Sequence, residues 1–169
     1  EMQLRQEVIQ DPLTGLLNRR GFEQVAMRAW KRPESPGGAV IMVDLDKFKA
    51  INDTAGHTVG DQVLQCVGRA VMTDLRETDY AVRFGGDEFG VLLPGARLPN
   101  AVAIAERIRL ATRNMCASLS PTQPVTVSIG VAATDHSQVD AANLEDIAER
   151  ADVALYRAKQ AGGDRVATN

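Results

Sequence analysis

The sequence is poor in cysteine, in aromatics, in excess positive charge and in long apolar runs, and each shortage removes a class of protein. Its two cysteines, Cys66 and Cys116, stand far apart with no CxxC or CxxH spacing, which argues against a disulfide framework and against a zinc site. Both fall in apolar, helix-like surroundings, so the reading expects reduced thiols packed in a core, as in a cytoplasmic protein. Nothing approaches the ~18–20 consecutive apolar residues of a membrane span. Nineteen Lys+Arg against 22 Asp+Glu give a formal charge of −3, so no broad basic footprint for nucleic acid exists. Aromatics make up only 4% of the chain, and a basic, aromatic-lined channel of the kind that holds single strands is missing. The expectation is no nucleic-acid partner and no direct membrane contact by this domain. An anionic ligand would need a local device, either a metal or a shaped loop.

What remains is an ordinary globular composition, 44% hydrophobic and 24% charged over 169 residues, which supports one domain with a sizeable core. Repeats and low-complexity tracts are absent. The chain opens on Glu1 without a basic-then-apolar leader, and the reading expects a fragment excised from a longer protein. Residues 1–10 place Met2, Leu4, Val8 and Ile9 in polar surroundings, as the end of an upstream signalling helix or linker would; residues 11–169 form the domain.

Hydrophobic patterning orders the elements. Asn18 is positioned to cap a helix whose buried stripe is Phe22, Val25, Ala26 and Ala29. Residues 31–38 read as a surface loop from their Pro and Gly. AVIMVDL at 39–45 is a continuous apolar run of strand length, buried on both faces and ending in acids. The segment 47–57 reads as a loop leading into a helix from about Thr58 to Leu75. Strands over 79–84 and 88–93 flank the Gly85-Gly86-Asp87 turn as a hairpin. Pro99 opens a helix to about Cys116, residues 125–133 form a strand, Asn143 caps a helix ending at Gly162-Gly163, and RVAT is a short last strand. The alternation around one hairpin predicts an α/β (α+β), ferredoxin-like mixed sheet of about five strands flanked by helices.

Asp44 and Asp46 fall where the buried strand ends, and pairing of that strand with the hairpin puts Asp87 opposite Asp44. Two converging carboxylates repel unless a divalent cation lies between them, and hard oxygen ligands suit Mg2+ or Mn2+. Between these acids lie Lys47, Lys49, Asn52, His57 and Asp61, a set able to receive phosphate on backbone N–H groups and a base on side chains. Guanine offers N1–H and N2–H donors that a carboxylate such as Asp61 accepts, with the Asn52 amide in support. A charge-assisted hydrogen bond is worth ~1.5–3 kcal/mol, enough for tenfold to hundredfold discrimination. On composition alone, Asp61 is equally a carboxylate in the first turn of a helix, stabilised by the dipole.

These residues resemble the GGDEF domain, the catalytic module of diguanylate cyclases. The resemblance rests on Gly85-Gly86-Asp87-Glu88-Phe89 within RFGGDEF, and on DPLTGLLNRRGF, DLDKFKAINDTAGHTVGD, VTVSIGVA and ADVALYRAK. It implies a nucleotide-cyclase, palm-like fold and the condensation of two GTP into cyclic di-GMP with release of two pyrophosphates. By resemblance, Asp44, the Leu45 carbonyl, Asp87 and Glu88 are the ligands of two Mg2+ or Mn2+ ions, and Asp87 also receives the 3′-hydroxyl proton. Lys47, Phe48, Asn52, His57, Asp61, Gly86 and Lys159 become the GTP-binding set. Arg76 and Asp79, which end eight residues before Asp87, match an RxxD inhibitory product site with Arg107 as a third member. Each 3′-hydroxyl must attack the other GTP, which implies a homodimer, an upstream regulatory domain and a cytoplasmic location, with the parent protein able to be membrane-anchored. One departure stands out: the family's AK-x-x-G-R-N run reads Ala158-Lys159-Gln160-Ala161-Gly162-Gly163-Asp164, so glycine replaces an arginine expected at the triphosphate. Either Arg165 reaches in or GTP binds more weakly. The alternative reading is a weak or inactive module that binds GTP or cyclic di-GMP as a sensor.

Overall fold

The computed structural model describes residues 8–32, 37–134 and 144–169. The core is a mixed sheet of five strands: β1 (Gly38–Leu45), β2 (Tyr80–Gly85), β3 (Glu88–Pro94), β4 (Val127–Ala133) and β5 (Arg165–Thr168). Their order is β2-β3-β1-β4-β5. All neighbours are antiparallel except β4 and β5. Every residue of β1 is buried, as expected for a central strand with helices on both faces. The short final strand at RVAT forms as the sequence predicts.

Period-2 alternation divides the core. Ile41, Val43, Phe89, Val91, Ile129 and Val131 point to one face. There they meet α4 (His57–Met72) through Val63, Val67 and Val71, and α5 (Leu98–Met115) through Ala101, Ala105 and Ile108. Val40, Met42, Leu92 and Ala132 point to the other face, against Trp30 of the first helix and Leu144, Ile147, Ala151 and Leu155 of α6 (Leu144–Gln160). Each buried Leu or Ile contributes ~1.5–3 kcal/mol of transfer free energy, which makes α6 a firmly seated element. It lies close on β4: a side chain at Gly130 would run into the Ala151 carbonyl and the Leu155 amide. That contact fixes where the C-terminal turn of α6 falls over the end of β1.

Three expectations change. The segment 47–57 is not a loop: Phe48–Ala55 is a helix, α3, followed at Gly56 by α4. Asp61 therefore lies beyond the first turn of α4. The first helix is capped by Asn18 as expected, Oδ1 accepting from Gly21 N at 2.8 Å, but its apolar stripe is shifted. Between α1 (Arg19–Gly21) and α2 (Met27–Trp30) runs a π-helical turn, Phe22–Ala26. Its extra residue rotates the stripe, so Ala26 and Trp30 are buried while Val25 is 36% exposed. Third, Cys66 of α4 and Cys116, which caps α5, are joined as a disulfide, with their Cα atoms 6.0 Å apart. The readings for residues 1–7, the loop residues 33–36 and the Asn143 cap lie outside the described residues.

The disulfide closes a loop across a sequence separation of 50 residues. On the chain-entropy relation such a cross-link removes about 4 kcal/mol of unfolded-state freedom. Urea unfolding with and without a thiol reductant checks it. Reduction should lower the unfolding free energy by up to about 4 kcal/mol in the unaltered chain and leave a Cys66→Ser variant unmoved.

Candidate active site

The register of β1 against β3 brings the acids together. Asp44 pairs with Glu88, and the hairpin turn carrying Asp87 folds over the strand end, where Leu45 N donates to the Asp87 carbonyl at 3.3 Å. From the other side Lys159, in the last turn of α6, donates from Nζ to Asp44 Oδ2 at 2.5 Å. Asp44 is 7% exposed. Burial, with repulsion from Asp87, pushes its carboxyl up to about 6 against the opposing pull of Lys159. Its second oxygen, Oδ1, is buried without a hydrogen-bond partner. An orphaned carboxylate oxygen beside a second carboxylate is an electrostatic debt that a cation settles.

Among the described residues no group of three or more His, Cys, Asp or Glu side chains is arranged to hold a metal ion. Mg2+ is usually held by one or two carboxylates while phosphate and water oxygens complete its octahedron. Asp44, Asp87, Glu88 and the Leu45 carbonyl present hard oxygen atoms at this strand end.

Asp46 belongs elsewhere. Its oxygens accept from Thr126 Oγ1 at 2.8 Å, Ser128 Oγ at 2.6 Å and Asp164 N at 2.9 Å. The second acid of the Asp-x-Asp pair is thus consumed in bracing β1 against β4 and the turn after α6. The Nε of Arg165 donates to the Gly163 carbonyl at 3.0 Å.

Lys47 takes a left-handed backbone (φ 56°) between β1 and α3, so Lys47 and Phe48 form the entry to the α3 N-terminus. Asn52 lies on α3; His57 and Asp61 follow on α4 and are exposed. The Asn52 side chain lies over Gly60, where any side chain would strike Oδ1. That oxygen too is buried without a partner, an acceptor awaiting a donor. Gly60 escaped the sequence reading because its role depends on the α3–α4 crossing.

The reading also missed Arg83 and Asp11. Arg83 donates from Nε and Nη2 to the Gly86 carbonyl at 3.0 and 2.7 Å, and from Nη1 to Asp11 Oδ1 at 3.0 Å. Asp11 also accepts from Thr14 N and Oγ1. One arginine thereby ties the DPLT turn to the acid-bearing hairpin. A cleft of about 350 Å³ opens beside Glu88, walled by Met42, Phe22 and Phe84, with Arg19 stacked over Phe84 and Asp152 of α6 at its edge. Burial and the negative charges of Glu88 and Glu149 raise the Asp152 carboxyl.

The structure does not bring Arg76, Asp79 and Arg107 to the acids. Arg76 and Asp79 close a turn, Arg76 N donating to Asp79 Oδ2 at 2.9 Å and Asp79 N to the Arg76 carbonyl at 3.0 Å. That turn enters β2 at the end opposite the hairpin, roughly 20 Å away for a strand of this length. Arg107 is exposed on α5.

The whole arrangement is that of one family. The model of the GGDEF domain of diguanylate cyclases matches residues 8–165, and the chain belongs to that family. Among its relatives, the diguanylate cyclase DgcP of Pseudomonas aeruginosa is 39% identical over 166 residues, 96% of this chain and 24% of that protein. DgcM of Escherichia coli is 37% identical over 98% of this chain and 40% of its own length. The chain therefore spans well under half of either protein. The coiled coil and GGDEF domain of DgcB from Caulobacter crescentus, solved with c-di-GMP, superposes with a TM-score of 0.82 at 28% identity, covering 95% of this chain and 85% of that one. SiaD from P. aeruginosa, solved with its activator SiaC, gives 0.80 at 37% identity over 95% of this chain and 62% of that one. No described helix is long and apolar enough to cross a membrane.

The Asp11–Arg83 tie yields a pH prediction. Burial works against the Asp11 carboxylate, but the Thr14 hydrogen bonds and the Arg83 charge outweigh it and hold the carboxyl below its ordinary value of 3.8. Its contribution to stability is therefore present above the unfolded value and is lost as pH falls through the lower folded one. Asp11→Asn should lower the melting temperature at pH 7 and differ little from the unaltered chain in acid below that range. An equal deficit at both pH values would contradict the assignment.

Proposed function

We propose that this domain is an active diguanylate cyclase that condenses two GTP into cyclic di-GMP and two pyrophosphates. The observation that carries the reading is the convergence of Asp44, Asp87 and Lys159, with Asp44 Oδ1 buried and unpartnered. The names of the relatives and the match to their family support it.

GTP is oriented at three places. Its guanine edge meets Asn52 and Asp61, the amide supplying its orphaned acceptor and the carboxylate taking the N1–H and N2–H donors, with His57 beside them. Its phosphates meet the N–H groups at the α3 entry, from Lys47 and Phe48, and the Gly86 backbone. Lys159 stands where it neutralises both Asp44 and phosphate oxygen. Asp44, Asp87, Glu88 and the Leu45 carbonyl would hold Mg2+ or Mn2+, which when bound supplies Lewis-acid polarisation of phosphorus and stabilises the pyrophosphate leaving group. Asp87 is placed to take the proton of the 3′-hydroxyl. Each hydroxyl displaces pyrophosphate from the other GTP, so two P–O bonds form as two break, and two domains must face one another about a twofold axis. Arg76, Asp79 and Arg107 form a separate product site whose arginine forks suit phosphate and guanine edges. The upstream partner that imposes dimerisation, and the cytoplasmic setting, belong to the same proposal.

Incubation with GTP and Mg2+ at high protein concentration, followed by chromatography, tests the activity: cyclic di-GMP and pyrophosphate should accumulate in a 1:2 ratio. No product from a demonstrably dimeric form contradicts it. Asp87→Asn should reduce turnover at least a hundredfold with the fold retained, and turnover close to that of the unaltered chain would remove Asp87 from its role. Gly60→Ala, which displaces the Asn52 amide, should raise KM for GTP about tenfold while kcat changes little. Because a proton on Asp44 competes with a cation, the Mg2+ concentration needed for half-maximal turnover should rise as pH falls through about 6.

A further inference from the structure

Lys159 and Asp44 sit on different elements, and their meeting depends on where α6 stops. The stop is a three-residue turn in which Gly162 (φ 118°), Gly163 (φ 76°) and Asp164 (φ 48°) all have positive φ. Gly162 N donates to the Lys159 carbonyl at 3.1 Å and Gly163 N to the Ala158 carbonyl at 3.0 Å, closing the last helical turn, the one that bears Lys159. A non-glycine residue in the left-handed region costs roughly 1–2 kcal/mol, which Asp tolerates better than most.

Three contacts hold Asp164 there. Its N–H donates to Asp46 Oδ2 at 2.9 Å. Its two carboxylate oxygens accept from Arg109 Nη1 and Arg113 Nη1 of α5, each at 3.1 Å. Arg109 is oriented in turn by Glu106, to whose Oε2 it donates twice, at 3.0 and 2.9 Å. Asp46 is itself anchored by Thr126 and Ser128 and lies against Gly163, whose missing Cβ leaves only 3.0 Å to Asp46 Oδ1. The arginine that the family carries at position 163 would meet both an unfavourable φ and the Asp46 carboxylate.

We propose that Asp164 is a positioning residue of the GTP site. Clamped by Arg109 and Arg113, it fixes the turn after α6 so that Lys159 is presented to Asp44 and to the substrate's phosphates, in a chain that lacks the arginine at 163. It touches neither metal nor substrate and acts through Lys159. The inference rests on the reading of Lys159 as a phosphate-binding group.

Calorimetric binding of 3′-deoxy-GTP with Mg2+ tests it, since this analogue lacks the attacking hydroxyl and is not consumed. Asp164→Ala should raise Kd about tenfold. Asp164→Asn, which keeps the left-handed preference and the N–H to Asp46, should cost about threefold. The double variant Arg109→Gln/Arg113→Gln, which keeps Asp164 itself, should reproduce the tenfold loss. In a Lys159→Ala background the Asp164→Ala change should add less than twofold, because the group it positions is gone. Circular dichroism and melting curves establish that each variant is folded. Equal binding by a folded Asp164→Ala variant, or an undiminished tenfold loss in the Lys159→Ala background, overturns the inference while leaving the cyclase reading intact. Failure of the unaltered chain to bind the analogue overturns both.

Discussion

Two carboxylates, Asp44 and Asp87, are held together at the end of a buried strand, and the rest of the structure is organised around tolerating that repulsion. Asp44 is nearly inaccessible, its carboxyl pushed up to about 6, with one oxygen on Lys159 and the other on nothing. A site of this kind is a cost to the fold, several parts of which act to keep it in place. The β1–β3 register sets Asp44 opposite Glu88, Arg83 fastens the hairpin turn through Gly86, and Gly130 lets α6 come close enough to deliver Lys159. Repulsion maintained by surrounding packing is a strain that folds carry at functional sites.

The acidic balance of the chain is then no obstacle to an anionic substrate. Eight of the 22 acids fall within 44–61 and 76–88, and in the proposed function a divalent ion at the strand end would reverse the sign where a triphosphate would lie. The two faces of the sheet divide the labour. On one side lie α3 with Asn52 and α4 with His57 and Asp61, the residues proposed to meet the base; on the other lies α6 with Lys159, proposed to meet phosphate. β1, β3 and β4 each contribute side chains to both faces. The Cys66–Cys116 link ties α4 to the end of α5, and the Asp164 clamp ties α5 to the end of α6.

Much of this was legible in the residues, and the parts that were not share a cause. β1, the hairpin and α5 are read from runs, turns and caps that are local, and RFGGDEF identifies the acids outright. From sequence α3 reads as a loop because Asn52, Asp53, Thr54 and Gly56 weaken its helical pattern, although Ile51 is fully buried in the core. The π turn at Phe22–Ala26 shifts a stripe that a strict 3.6-residue period assigns to Val25 and Ala29. Asp44 and Asp46 are chemically alike in the sequence; only β4, far along the chain, supplies the hydroxyls that claim Asp46. Cys66 with Cys116, Arg83 with Asp11 and Asn52 with Gly60 are likewise pairings made by tertiary structure. The exchange of arginine for glycine at 163 was visible, but its meaning appears only against Asp46.

The claim that the acids are held against their own repulsion for the sake of a cation is tested most directly by the melting temperature of Asp87→Asn beside that of the unaltered chain, each measured with EDTA and with Mg2+ and GTP. Neutralising one carboxylate should raise the melting temperature in EDTA and abolish the further rise that Mg2+ with GTP gives the unaltered chain. A variant less stable than the unaltered chain in EDTA, or one that keeps the full rise with Mg2+ and GTP, would contradict the account.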